Sequence, residues 1–200
     1  QYAECVPQDV ILAQRMPAVF SKRFHSKLNL WWTHDLALKR FQGAINAQTW
    51  NVDRLLTVSE FHKKQVASVY GIKESSIDVL PNGIDSSLYQ PKVSGERKKL
   101  SKIMIYSSRP ERGLENLVKK DGIMEKLLAL DPEIKLVVCG YEYTTQDMAP
   151  YYEYVFSRCK QLPNVQFLGA LSKQQLANTM RGAWIHIYPT NFEEVSCITA

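Results

Sequence analysis

Three short stretches of this 200-residue chain carry residue types able to do chemistry. In SSRPERGLENL, Arg109 and Arg112 follow a strand-like run and Gly113 opens a helical pattern. Glycine lets backbone come close to a ligand, and the unpaired N–H groups of a helix start attract anions. Two guanidiniums there would clamp a diphosphate through charge-assisted hydrogen bonds. The same residues are equally what an exposed strand-to-helix loop carries. In WWTHDLA, His34 ends an apolar run beside Asp35. The imidazole would offer a hydrogen-bonding group to a substrate hydroxyl; the plainer alternative is a helix-capping Asp35 and a structural histidine. In YPTNFEEVSCITA, Glu193 and Glu194 stand between a strand-like run and a helix expected to begin near Val195. Free N–H groups at Val195, Ser196 and Cys197 would hold a phosphate, with a carboxylate alongside accepting sugar hydroxyls. Otherwise the acids only complement the helix dipole, worth a few tenths to about 1 kcal/mol.

Other chemistries have no support. The chain contains neither GxxxxGK[ST] nor GxGxxG, which sets aside the P-loop NTPases and the ordinary nicotinamide dehydrogenases. His25, His62 and His186 have no ligand-like spacing among themselves or to cysteines, so no catalytic metal is expected. Cys5, Cys139, Cys159 and Cys197 form no CxxC pair, a usage that favours a reducing, cytoplasmic compartment. The net charge of +5 fits nucleic acid, an anionic membrane surface or anionic small molecules. No nucleic-acid-binding motif accompanies it, so no nucleic-acid partner is expected. No run of apolar residues is long enough to span a membrane.

The elements that must position these residues follow from hydrophobic patterning. Apolar or β-branched runs recur at 9–14, 27–34, 53–59, 76–81, 102–108, 134–140, 164–169 and 183–189. Several are apolar nearly throughout, as in parallel strands covered on both faces. Between them lie helical patterns. SEFHKKQVASVYG places Phe61, Val66 and Val69 on one face, with Ser59 to cap its start and Gly71 its end. GLENLVKKDGIMEKLLAL places Leu114, Leu117, Ile123, Leu127 and Leu130 at helical spacing, and SKQQLANTMRG begins on a serine cap and stops at Gly182. The alternation predicts an α/β fold with right-handed crossovers. A Ser-, Gly-, Pro- and charge-rich stretch reads as a linker, which divides the chain into 1–90, a linker 91–101, and 102–200. Ligands in such sheets bind beyond the carboxyl ends of the strands, and the polar and glycine-bearing positions lie there, Gly140-Tyr141-Glu142 and Gly169 to Ser172 included.

Taken in order, the pieces resemble the retaining nucleotide-sugar glycosyltransferases of the GT-B fold, the large group 1 family. VDRLLTVSEFHKKQVASVYGIKESSIDVLPNGID resembles the end of that family's N-terminal domain, and IMIYSSRPERGLENLV its phosphate-binding turn. LVVCGYE resembles the next strand, LPNVQFLGALSKQQLANTMRGAWIHIYPT the base-binding region, and FEEVSCITA the opening of its E-x7-E motif. The resemblance implies two Rossmann-like parallel-sheet domains facing a cleft, both incomplete here, in an internal stretch of a longer chain. It implies transfer of a sugar from a nucleoside-diphosphate sugar to a glycan, lipid-linked or small-molecule acceptor with retained configuration, without metal or cofactor. Peripheral association with a membrane surface is part of that expectation. Carried over by residue, it places Glu194 and His34 at the transferred sugar, with Ser196 and Cys197 where the family has Phe-Gly. Arg109, Arg112 and Gly113 fall at the diphosphate, and Gly169, Ala170 and Leu171 at the base. The pattern departs from the family at Ser108, where a glycine is usual, and at Arg112, where a lysine is usual. A nucleotide-sugar 2-epimerase of the same fold, and a non-catalytic nucleotide-sugar-binding subunit, stand as the alternatives.

Overall fold

A computed structural model of the protein describes residues 7–90, 102–140 and 145–197. The expected linker 91–101, Tyr141-Glu142 of the strand-edge set, and Cys5 lie outside the described residues. Within them the chain forms two compact units. One runs to Gly83 and takes in the segment from Glu193; the other is Ile84–Phe192. The second unit thus begins ahead of the linker, and its first piece, the helical turn Ser86–Tyr89, is held by a hydrogen bond from Arg181 Nη1 to Leu88 O of 2.9 Å.

In the first unit, β1 (Gln8–Gln14), β2 (Ser26–Trp32), β3 (Arg54–Thr57) and β4 (Ile77–Val79) form one parallel sheet in sequence order. Between the last three strands run α1 (Gln42–Thr49) and α2 (Glu60–Tyr70). Helix α2 begins and ends as its caps dictate. Ser59 Oγ accepts from His62 N at 3.1 Å, and Gly71 closes the helix at φ 70°, which glycine adopts without strain. Its buried face differs from the expected one. His62, Val66, Ala67 and Tyr70 face the core, while Phe61 is exposed. Packing of Val66, Ala67 and Tyr70 into the core turns His62 inward with them. Trp31, Ile45, Leu55, Val66 and Ile77 share the core beneath.

In the second unit, β5 (Ile103–Tyr106), α3 (Leu114–Val118), α4 (Ile123–Leu130), β6 (Lys135–Cys139), α5 (Ala149–Gln161), β7 (Val165–Gly169), α6 (Lys173–Gly182) and β8 (Ile185–His186) follow in order. Their parallel sheet has the order β7-β6-β5-β8. It is covered on both faces, which explains the unbroken apolar runs. Met104, Tyr106, Leu136 and Val138 pack against the helices on one side, Ile105, Val137 and Cys139 against α6 on the other. The single helix expected over 114–130 is two. Asp121 takes φ 56° and its N–H is drawn to Glu125 Oε2 at 2.7 Å, so Asp-Gly acts as a breaker; Leu130, beyond the second helix's buried side, is exposed. Helix α6 starts on a capping box, with Gln175 N to Ser172 Oγ at 3.2 Å and Ser172 N to Gln175 Oε1 at 2.9 Å. Among the described residues no helix is long and apolar enough to cross a membrane.

Candidate functional site

The order β7-β6-β5-β8 puts the switch in strand sequence between β5 and β8, because the chain moves from β5 outward through β6 and β7 and returns to β8 on the other side. At such a point the loops after the two flanking strands diverge and leave a crevice. Here those loops are Ser107–Gly113, after β5, and Ile187–Phe192, after β8. The sheet therefore delivers Arg109, Arg112 and Gly113 to its carboxyl end. Gly113 has φ 108°, and a Cβ built on it would lie 2.3 Å from Pro189 O and 3.0 Å from Thr190 Cα. The glycine is what lets the protein's own backbone cross here. Asn116 Nδ2 donates to the same Pro189 carbonyl at 2.9 Å. The Arg112 guanidinium lies 3.9 Å from the centre of the Phe192 ring, a cation–π contact. Thr190 Oγ1 accepts from Phe192 N at 2.9 Å and fixes the turn that presents the ring.

The turn itself is a short 3-10 helix, Pro110–Arg112. Three tyrosine hydroxyls hold it. Tyr106 donates to Arg109 O at 2.7 Å, Tyr151 to Pro110 O at 3.2 Å, and Tyr152 to Glu111 Oε2 at 2.7 Å. The other oxygen of Glu111 pairs with Arg109 Nε at 2.6 Å. Burial raises the pKa of all three hydroxyls, Tyr151 to about 12, so each remains a donor at neutral pH. Sequence reasoning missed these tyrosines. Tyr106 ends a strand it had recognised, but Tyr151 and Tyr152 sit on α5, a helix it did not recognise.

The expected base-binding residues are at the end of β7. Gly169 takes φ 68° and its carbonyl accepts from Gly140 N at 3.0 Å; Gly140 in turn lies under Ser108 O, which a Cβ on it would approach to 3.1 Å. Gly169, Gly140 and Ser108 thus form a continuous line along the carboxyl edge. Ala170 beyond them is exposed, and Leu171 packs against the Ile105 face of the sheet. Near the β5–β8 opening, Ser107 Oγ meets His186 Nε2 at 3.3 Å, and burial lowers the pKa of that histidine.

The first unit carries the other expected residues. His34 follows β2, its ring 4.3 Å from that of Trp32 and its Nε2 3.4 Å from Gln14 Nε2. Its Nδ1 is buried without a hydrogen-bond partner. Burial lowers its pKa, and the Arg15 charge adds to the effect; the Trp32 backbone, Asp35 and Asn82 pull the other way. His34 is therefore a neutral imidazole at pH 7. Asp35, expected as a helix cap, instead pairs with Arg15 Nη1 at 2.9 Å, both side chains exposed. No helix follows it directly: residues 39–41 form a 3-10 turn before α1. His62 is the structural histidine of the group. Its Nδ1 accepts from Val58 N at 3.4 Å, which leaves Nε2 to donate to the Asp35 carbonyl at 2.9 Å.

Glu193 is exposed and Glu194, Ser196 and Cys197 are half-buried in the segment that groups with this first unit. Val195 O accepts from Ser59 Oγ at 2.6 Å. The helix expected to begin near Val195 would run on past Cys197, outside the described residues.

Comparison with known proteins bears on the whole arrangement. Residues 9–88 match Glycosyltransferase Family 4. The chain is 28% identical to a GDP-mannose-dependent monoacylated alpha-(1-6)-phosphatidylinositol monomannoside mannosyltransferase of Corynebacterium glutamicum, over 69% of this chain and 36% of that protein. The fold matches Anabaena HepE, crystallised with UDP and glucose, with a TM-score of 0.70 at 15% identity, covering 93% of this chain and 54% of HepE. It matches sucrose-phosphate synthase of Thermosynechococcus elongatus with a TM-score of 0.68 at 15% identity, covering 96% and 52%. The chain thus spans about a third of the curated relative and about half of each structural one. The architecture is that of the GT-B glycosyltransferases, and the resemblance to the group 1 members holds in sequence and in fold.

Proposed function

We propose that these residues belong to a glycosyltransferase that moves a sugar from a nucleoside-diphosphate sugar to an acceptor with retained configuration. The carrying observation is the β5–β8 switch point. There a Gly113 turn bearing Arg109 and Arg112 is closed against the Pro189–Phe192 loop. In this reading the two guanidiniums take the charge that develops on the departing nucleoside diphosphate. Stabilisation by donors already in place is the largest effect available to such a site. Gly169, Ala170 and Leu171 meet the base through backbone groups. Glu194, with Ser196 and Cys197, serves the donor sugar, and neutral His34 hydrogen-bonds a hydroxyl of the transferred sugar. The acceptor attacks on the face the diphosphate leaves.

The relatives named above use or bind GDP-mannose and UDP with glucose, so both donors belong in the test. Full-length protein is titrated with UDP-glucose and GDP-mannose. The product anomer is then followed by NMR with candidate glycan and lipid-linked acceptors. Binding of one donor and an axial-to-axial product support the proposal; a donor epimerised in the absence of acceptor would overturn it in favour of the 2-epimerase. Binding without turnover of either kind would favour a non-catalytic subunit. A lipid-linked acceptor would place the protein at a membrane surface, checked by co-sedimentation with anionic vesicles.

A further inference from the structure

Glu111 is a misplaced charge if the turn binds a diphosphate. A carboxylate next to the proposed anion site repels the ligand, and Glu111 lies between the arginines, two residues after Arg109 and one before Arg112. Its contacts suggest what offsets that repulsion. One oxygen accepts from Tyr152 OH at 2.7 Å and the other pairs with Arg109 Nε at 2.6 Å. Tyr152 is 3% exposed and anchored in α5, with an edge-on ring contact to Phe156, so its hydroxyl has little freedom. Arg109, by contrast, has a side chain 59% exposed. A long exposed arginine loses rotamer freedom when it is fixed on a ligand, and a pre-formed contact removes part of that loss beforehand. The contact is also made at Nε. That leaves the edge formed by Nη1 and Nη2 able to meet a phosphate through two parallel N–H···O bonds. The backbone beneath is fixed in the same way, by Tyr106 at Arg109 O and Tyr151 at Pro110 O.

We infer that Tyr152 and Glu111 are positioning residues that hold Arg109 in the orientation that receives the donor's diphosphate. The inference rests on the diphosphate reading of the turn and adds to it a relay from the buried face of α5 to an exposed guanidinium. Glu111 touches no ligand in this scheme; it acts through Arg109.

The test is calorimetric titration of full-length protein with inorganic pyrophosphate, UDP and GDP, in wild type and in Tyr152→Phe, Glu111→Gln and Arg109→Gln, each singly and with Arg109→Gln as background. Tyr152→Phe removes only a hydroxyl, and melting curves establish that each variant is folded. The expected result is a loss of pyrophosphate affinity of about 3- to 10-fold for Tyr152→Phe and for Glu111→Gln, the range for one ordinary intramolecular hydrogen bond. Neither substitution should weaken binding further once Arg109 is gone, since residues acting through one group are not additive. Unchanged or tighter binding in Glu111→Gln would overturn the inference, because the carboxylate would then only repel. Equal losses with and without Arg109 would overturn it too, leaving the tyrosine a purely structural role. Those failures leave wild-type binding intact. A wild type that binds neither pyrophosphate nor either nucleotide would instead overturn the diphosphate reading itself.

Discussion

Replacing Gly113 by alanine perturbs the turn where the structure has least room. The added methyl would sit 2.3 Å from Pro189 O, 2.7 Å from Pro189 C and 3.0 Å from Thr190 Cα. These are backbone atoms, so no flexible side chain can swing away. The carbonyl would have to retreat beyond 3.0 Å, out of its 2.9 Å bond from Asn116 Nδ2. Loss of that bond costs about 1 kcal/mol. The left-handed backbone at φ 108° adds about 1–2 kcal/mol for any residue with a Cβ. Displacing the Pro189–Thr190 segment brings the total to roughly 3–5 kcal/mol, at the severe end for one substitution. For a unit of this size that lowers Tm by roughly 10 °C or more. Gly43 is the matched control. It lies in α1 and a Cβ there meets nothing within 4 Å, so Gly43→Ala should stabilise by about 0.5–1 kcal/mol. Thermal melts and pyrophosphate titrations of both variants check the reasoning. A Gly113→Ala protein that melts within about 2 °C of wild type and binds pyrophosphate equally well would refute it, because the crossing with Pro189 would then not constrain the turn.

Two further outcomes follow, one in the first unit and one from histidines of both units. Ser59→Ala removes the cap of α2 and the donor to Val195 O, and should lower stability by about 1–2 kcal/mol in urea unfolding; an unchanged midpoint would show that neither bond contributes. Burial lowers the folded-state pKa of His34, His62 and His186 below 6.5, so the unfolded chain binds protons first on acidification. Their contribution is full above about pH 6.5 and is lost as pH falls toward the lowered values, so Tm should drop between pH 7 and 5. His62→Gln should flatten that dependence in a melting series, whereas an unaltered slope would mean that His62 titrates normally.

How much of this was legible in the sequence depended on whether the signal was local. Each of the eight apolar runs overlaps a strand, and in β5 and β6 the run is unbroken because both faces are covered. The limits of α2 were legible because Ser59 and Gly71 terminate it by backbone chemistry alone. Which face it buries was not, since Phe61 and His62 differ by one position and the core decided for the histidine. Helix α5 escaped notice because its Tyr, Phe and Val are poor helix formers, and tertiary packing of Tyr152, Val155 and Cys159 overrides them. At the candidate site Arg109, Arg112 and Gly113 were legible from their place after a strand. Tyr151, Tyr152 and Asn116 were not, because their contacts join positions far apart in the chain.

The strand order has a further consequence, for the order in which the second unit can assemble. Pairing of β5 with β6 and of β6 with β7 joins neighbours along the chain, while Met104 meets Ile185 only after nearly the whole unit has been looped out. Closing the longest loop carries the largest entropy, and a strand of two residues returns few hydrogen bonds for it. The Pro189 roof over Gly113 depends on that one closure. The arginine turn is therefore encoded early in the unit and finished by its least local contact, so its integrity reports on completion of the entire fold.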